Sequence, residues 1–284
     1  MNRRCTPKKV LLAGGDRRAF LLSRLLAKRP EFLVYTLKLG ETGLPSPEKG
    51  FQADVLILPI PVTADGLHLK LSPEEKEPLS ISEALDYCRP GGRVYGGLTP
   101  VGKGVPDLCR ERGLTFTDFL AGEGFTLKNA EATAEIALAL AVLALPEVFT
   151  ETRAVVLGGG RIAKGLVKRL TSLGASCVLA ARKEEQRREA ERLGARAVTL
   201  EQLTPLLPEA DVLFNTIPAP VVTGEMARQI PPEALIYELA SAPGGFAPEA
   251  MEIRKVMPAL SLPGRYAPRS CANWLKDEIL QHET

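Results

Sequence analysis

A chain of 284 residues is longer than one ordinary core fills and suits two domains. Its formal net charge of +2, with 25% charged and 45% hydrophobic residues, describes a globular protein. No basic block interleaved with aromatics appears, which argues against nucleic acid as a partner. No apolar run reaches the ~18 uncharged residues of a membrane span, since the longest, 136–148, is interrupted by Pro146 and Glu147. The N-terminus lacks a signal-peptide cleavage pattern, so a cytoplasmic location is expected.

Cys5, Cys88, Cys109, Cys177 and Cys271 form no C-x-x-C pair and are expected to be reduced, mostly buried thiols, not disulfides or a metal site. The histidines, His68 in a loop-like stretch and His282 near the C-terminus, argue against a metal cluster. They argue equally against the His–carboxylate pair with which 2-hydroxy-acid dehydrogenases move protons.

In chain order, an apolar strand at Val10-Leu11-Leu12-Ala13 leads through Gly14-Gly15-Asp16 into a helix spaced Phe20, Leu21, Leu25, Leu26. A second strand spans 32–37. This turn lacks G-x-G-x-x-G and is assigned no cofactor. Arg17 and Arg18 at the helix start are candidates for holding an anion, the alternative being two exposed arginines. The continuous apolar run 53–58 predicts a strand buried on both faces of a parallel sheet. A loop over 62–78 follows, then helix 81–88, strand 93–97, helix 107–112 and strand 114–119. A helix over 129–145, rich in Ala, Leu and Ile, is expected to pack on all sides and to join two domains. Asn129, Thr133 and Glu135 are its polar positions, candidates for facing an interdomain cleft, with a capping role for Asn129 as the alternative.

The most informative stretch comes next. The β-branched run ending Val155-Val156-Leu157 feeds into Gly158-Gly159-Gly160-Arg161-Ile162-Ala163, a G-x-G-x-x-A turn opening a helix. Gly158 permits the sharp turn, Gly160 leaves room for a pyrophosphate, and small Ala163 lets the helix pack on the strand. The helix dipole and its first N–H groups then face the phosphates. Where an NAD site carries an acid about 20 residues on, this chain has Ala181-Arg182-Lys183, which favours a 2′-phosphate and hence NADP(H). The alternative is two solvated cations opening a polar helix.

A short strand at 197–200, a helix at 201–207 and a strand over 211–217 follow. The last ends in Asn215-Thr216-Ile217-Pro218, and strand 234–239 ends in Ala240-Ser241-Ala242-Pro243-Gly244-Gly245. Both ends lie at the ligand edge of such a sheet and are placed beside the nicotinamide. A strand at 256–262 and a helix from about 269 to 280 complete the pattern. The fold class is α/β, two doubly wound parallel-sheet (Rossmann-like) domains joined by a long interdomain helix. The domains are placed at 1–127, with a C-terminal helix 268–284 packing back, and at 149–267, with the joining helix at 128–148.

With these segments placed, the chain resembles the dipicolinate synthase A-subunit family almost end to end. The resemblance is carried by Gly14-Gly15-Asp16 with Arg18, by 54–59, and by Asn129 with Thr133-Ala134-Glu135. Further carriers are Leu157-Gly158 with Gly160-Arg161, Ala181-Arg182, Asn215 to Pro218, Leu239-Ala240-Ser241 with Pro243 to Gly245, and Leu262-Pro263-Gly264 with Ala267-Pro268. Two departures stand out: Ala132 and Ile136 flank Thr133-Ala134-Glu135 where the family has Pro and Gly, and Ala242 stands where it has Arg.

The resemblance implies an NADP-dependent oxidoreductase that converts a dihydrodipicolinate-type ring, formed from a lysine-pathway intermediate, to pyridine-2,6-dicarboxylate during sporulation. It implies a partner, the flavoprotein-like B subunit, with the mother cell as location; a homo-oligomer is also open. Arg18, Asn129, Gly244, Gly245 and Arg265 are the implied substrate contacts, and Thr133, Glu135, Asn215 and Ser241 the candidates for orienting the ring or accepting its proton. Cofactor contacts are Gly158, Gly159, Gly160, Arg161, Ile162, Arg182, Lys183 and Asn215 to Pro218. Two other functions stay open: an NADP-dependent dehydrogenase of another small carboxylate, like shikimate dehydrogenase, and a nucleotide-binding partner without chemistry, suggested by Ala242.

Overall fold

A computed structural model describes residues 6–72, 74–98 and 100–283. The chain divides into two compact units, one from residues 1–128 with 264–284 and one from 129–263. Each is a parallel sheet between helices, so both are α/β and doubly wound.

The first unit contains β1 (Lys8–Ala13), α1 (Arg17–Leu26), β2 (Phe32–Leu37), β3 (Ala53–Ile57), α2 (Ile81–Asp86), β4 (Cys88–Gly96), α3 (Val105–Glu111) and β5 (Thr115–Asp118). Its sheet order is β2-β1-β3-β4-β5. Alternation along the strands divides the core. Leu11, Ala13 and Leu56 face α2 and α3 through Ile81, Leu85, Val105 and Cys109. Val10, Leu12, Val55 and Ile57 face the other layer, where Leu22 and Leu26 of α1 meet Leu275 and Ile279 of the C-terminal helix Pro268–Glu283. Each such fully buried aliphatic side chain contributes roughly 1.5–3 kcal/mol.

Several local expectations change here. On α1, Leu26 of the predicted face is buried and Leu21 and Leu25 pack half-buried against the same core, while Arg18, Leu22 and Ser23 join the buried stripe. β4 begins five residues early, at Cys88, because Gly91 (φ +74°) and its neighbours loop out before pairing resumes at Val55–Arg93. The long helix α4 runs Glu123–Ala144, placing Asn129 inside it, so Asn129 is not its cap. Nor is α4 packed on all sides: Ala134, Ala137 and Ala141 are buried, whereas Leu143 is 84% exposed.

The second unit holds β6 (Arg153–Leu157), α5 (Arg161–Ser172), β7 (Ser176–Ala180), α6 (Glu184–Arg192), β8 (Arg196–Val198), β9 (Val212–Asn215), α7 (Gly224–Gln229), β10 (Leu235–Glu238), α8 (Pro248–Ile253) and β11 (Met257–Pro258). The order is β11-β10-β9-β6-β7-β8, so chain direction across the sheet reverses between β6 and β9. Ala154 and Val156 pack with Leu166, Val167 and Leu170 of α5 and with the alanines of α4; Val155 and Leu157 pack with Ala227, Ile230 and Ala250 on the other face. Gly165 lets α5 close on α4, since a Cβ there would lie 2.9 Å from that of Ala134.

Prolines account for two further departures. The helix predicted at 201–207 is a 3-10 turn at Thr204–Glu209, which contains Pro205 in its first turn and Pro208 further in. The strand predicted at 256–262 pairs only at Met257–Pro258 and gives way to a short helix, α9 (Leu262–Tyr266). No helix among the described residues is long and apolar enough to cross a membrane.

Cys88, Cys109, Cys177 and Cys271 are free and buried; Cys5 lies outside the described residues. Burial pushes the Cys88 and Cys271 thiols up to about 11 and those of Cys109 and Cys177 up to about 12. In a Cys5→Ser variant at pH 8, these four thiols should therefore react with a disulfide reagent only after denaturant is added. A fast-reacting thiol in the native protein would contradict the packing.

Candidate dinucleotide site

The second sheet's reversal point is where a doubly wound sheet opens a crevice beyond its strand ends. Leu157, Asn215 and Glu238 form one row across β6, β9 and β10 there. Beyond Leu157 the chain turns at Gly158, whose φ of +103° is a conformation that side-chain-bearing residues rarely adopt. A Cβ on Gly158 would also collide with Thr216 Oγ1, because Thr216 donates through both N and Oγ1 to the Leu157 carbonyl, at 2.9 and 2.7 Å. The turn is tied to β7 by Gly158 N–H to Ala180 O, 2.9 Å.

Gly160 is the N-cap of α5, and nothing lies within 4 Å of the place its Cβ would take. That open side, next to the positive end of a helix, fits an approaching pyrophosphate. An open cavity of about 520 Å3 is lined by Gly158, Gly159, Gly160, Arg182, Lys183, Gln186, Thr216, Ile217 and Pro218. Arg182 and Lys183 are exposed there. Arg187, one turn on, donates to the Ala181 and Arg182 carbonyls at 2.8 and 2.7 Å and so fixes the backbone that carries both cations.

Of the predicted cofactor contacts, Gly158 to Gly160, Arg182, Lys183 and Thr216 to Pro218 share this cavity, and Arg161 and Ile162 open α5 beside it. Asn215 is fully buried beneath it. Its Nδ2 donates to Ile217 O (3.0 Å) and Glu238 Oε1 (2.6 Å), and its Oδ1 accepts from Ile217 N–H (3.1 Å), so it braces strand ends instead of facing a ligand.

The predicted substrate and proton-transfer residues do not line this cavity. Thr133 is buried, and its hydroxyl donates to Asn129 O at 2.7 Å within α4. Glu135 is exposed on another face of α4, 3.9 Å from Arg169. Ser241 is exposed, and its carbonyl accepts from Gly244 N–H at 3.0 Å. Gly245 N–H is taken up by Glu238 Oε2 at 2.8 Å. The Gly244-Gly245 turn is therefore not an open nest for a carboxylate, because its N–H groups already have acceptors.

Arg18 corrects both readings of the α1 start: it is buried, not exposed, and its guanidinium is held by a carboxylate of the chain itself. Its Nε and Nη2 donate to Asp16, closest at 2.7 Å, and Nη2 also donates to Ile60 O. Asp16 caps α1 as well, accepting from Arg18 N–H. Gly264 lies against the Arg18 side chain, where a Cβ would come within 2.7 Å of the guanidinium carbon. Arg17 and Arg265 are exposed, the latter with its guanidinium 5.4 Å from the Tyr266 ring centre. The glycine turn of the first sheet is closed by its own chain: Gly15 N–H donates to Lys70 O, and a Cβ on Gly14 would lie 2.8 Å from Leu71 Cδ2.

Three features were missed in the sequence. Gln186 lies over Gly159, 2.5 Å from where its Cβ would be, and its position one turn past Arg182 was the available signal. Glu238 is a lone acid at the end of an otherwise apolar strand, which is unusual enough to have marked it. His68 pairs through Nδ1 with Asp65 Oδ2 at 2.8 Å, a local contact three residues apart and not a pair at a ligand cavity. That pair belongs to a half-exposed loop turn in which Asp65 also accepts the His68 and Leu67 N–H groups, bonds that hold its carboxyl well below the usual range.

The two glycines separate stability from binding. Gly158→Ala should destabilise the protein by roughly 1–3 kcal/mol, seen as a lower Tm, through positive φ and the Thr216 clash. Gly160→Ala, at φ −80° and facing open space, should leave Tm nearly unchanged while weakening dinucleotide binding about tenfold or more. Equal effects of both variants on Tm would contradict the geometry.

Comparison with known proteins finds two matching segments. Residues 9–120 match the family of the dipicolinate synthase A-subunit N-terminal domain. Residues 144–229 match that of the D-isomer specific 2-hydroxyacid dehydrogenase NAD binding domain. The dipicolinate synthase A subunit of Bacillus subtilis (strain 168) is 23% identical, covering 96% of this chain and 95% of its own. The crystal structure of the dipicolinate synthase A subunit from Bacillus halodurans shares the fold with a TM-score of 0.85 at 23% identity, over 98% of both chains. The transhydrogenase from Sinorhizobium meliloti shares it at 0.68 and 15% identity, over 97% of this chain and 93% of that one. The chain is thus similar, almost from end to end, to the A subunit of dipicolinate synthase: its residues 9–120 match that protein's N-terminal domain family, and a match to a dehydrogenase NAD binding domain follows at 144–229.

Proposed function

We propose that this chain is the A subunit of an NADP-linked dipicolinate synthase, oxidising a dihydrodipicolinate-type ring to pyridine-2,6-dicarboxylate. The observation that carries the cofactor assignment is the pair Arg182 and Lys183, lining the cavity beyond β7 where an NAD site presents a carboxylate. Two cations there suit a 2′-phosphate through charge-assisted hydrogen bonds. Gly158 and Gly160 with the start of α5 would hold the pyrophosphate, and Thr216 to Pro218 would border the nicotinamide half.

Bound there, the oxidised cofactor supplies a hydride acceptor. The ring gives up hydride and a proton, and the aromatic product makes the step favourable, so the residues need chiefly to position the ring. Of the two arginines implied by resemblance, Arg265 presents its guanidinium to solvent, whereas Arg18 is neutralised by Asp16. Arg265 is accordingly the proposed partner of a substrate carboxylate, and Arg18 keeps the α1 start rigid. That the B. subtilis relative is named as one lettered component of a synthase supports a second, partner component, proposed here to be a flavoprotein-like B subunit. Cytoplasmic action in the mother cell of a sporulating bacterium accords with this reading.

Removing both cations in Arg182→Ala/Lys183→Ala should weaken NADPH binding by about 10- to 100-fold, the worth of one or two charge-assisted hydrogen bonds. NADH binding should change little. Purified protein given freshly generated lysine-pathway intermediate and NADP+, with and without the B subunit, should form dipicolinate and NADPH in equal amounts. Arg265→Ala should raise KM for the ring substrate at unchanged NADPH affinity. NADPH binding without product in either mixture would leave a nucleotide-binding partner protein or another dehydrogenase instead.

A further inference from the structure

We propose that Glu238 is a positioning residue for the nicotinamide half of the dinucleotide, acting through Asn215 and the 240–245 loop. This inference rests on the reading that the second sheet's reversal point takes a nicotinamide dinucleotide. The glycine turn after β6 takes the pyrophosphate, and the cations beyond β7 take the adenosine half. The nicotinamide half is left to the other side of the crossing, over the ends of β9 and β10. Two segments form the chain there: Thr216 to Pro218 after β9, and Ala240 to Gly245 after β10.

Glu238 ties the two together. Its Oε1 accepts from Asn215 Nδ2 at 2.6 Å and from Ala240 N–H at 2.9 Å, while its Oε2 accepts from Gly245 N–H at 2.8 Å. Asn215 in turn holds both the N–H and the carbonyl of Ile217. Gly245 sits so close to Asn215 that a Cβ would collide with its amide, and a Cβ on Gly244 would lie 3.0 Å from Glu238 Oε2. One carboxylate therefore sets the spacing of both segments. It faces three N–H donors, and only a group with no donor of its own satisfies them all. A glutamine, equal in size, must turn its amide N–H2 toward at least one of those N–H groups and leave it unpaired.

The test compares a whole dinucleotide with a fragment that lacks nicotinamide. Affinities for NADPH and for 2′,5′-ADP are measured by calorimetry on the wild-type chain and on Glu238→Gln. Tm is recorded as a check of folding. Glu238→Gln should weaken NADPH about fivefold or more, the cost of one unpaired buried N–H. Its 2′,5′-ADP affinity should stay within about twofold, since the glycine turn and the cations are untouched. A second variant, Gly245→Ala, presses on Asn215 from the opposite side and should give the same pattern, which keeps the test decisive if Glu238→Gln does not fold. Equal loss of both probes would make Glu238 a general stabiliser, and no loss of either would remove it from the site; both overturn the proposal. Wild-type protein that binds neither probe would overturn the cofactor reading itself, and this inference with it.

Discussion

The second domain depends on a backbone constraint at Gly158. β6 must end in a turn with φ of +103° at a point where the Thr216 side chain leaves no room for a Cβ. That single conformation brings β6 and β9 together through the Leu157 carbonyl and aims α5 at open space beside Gly160. The hydrogen-bonded row Leu157–Asn215–Glu238 extends the same edge into β10. The cavity, its cations and the braced strand ends are all built outward from that turn.

The two glycine turns of the chain show why one sheet can bind and the other is closed. Both follow the first strand of a parallel sheet, and both use positive φ, at Gly14 and Gly15 in one and Gly158 in the other. In the first domain the space beyond the turn is filled by Lys70 and Leu71, and the helix start is capped by the carboxylate of Asp16, itself paired with buried Arg18. A helix N-terminus already holding a carboxylate has little left to offer a phosphate. In the second domain Gly160 caps α5 with no side chain, and the space stays open. Equivalent backbone designs thus leave one turn filled by its own chain and the other open.

Much of this was legible in the sequence where the signal is local. The apolar runs of β1, β3 and β6, the G-x-G-x-x-A turn and the Arg182-Lys183 pair depend on residues within a few positions of one another. Signals that span the sheet were not legible. Glu238 meets Asn215 from 23 residues away, so Asn215 looked like a ligand contact and Gly244-Gly245 like an open anion nest, although their polar groups were already matched. Arg18 differs for the opposite reason: the carboxylate that holds its guanidinium, Asp16, is only two residues away, so the cation and its partner sit in one short turn. Local breakers account for the rest, with Pro205 and Pro208 reducing a predicted helix to a 3-10 turn and Pro258 closing a predicted strand early.

The most direct measurement is a crystal structure of the protein soaked with NADP+. One dinucleotide per chain is expected, its pyrophosphate over Gly158 to Gly160, its 2′-phosphate beside Arg182 and Lys183, and its nicotinamide near Thr216 to Pro218. Density at the Gly14-Gly15 turn instead, or a 2′-phosphate turned away from both cations, would contradict it.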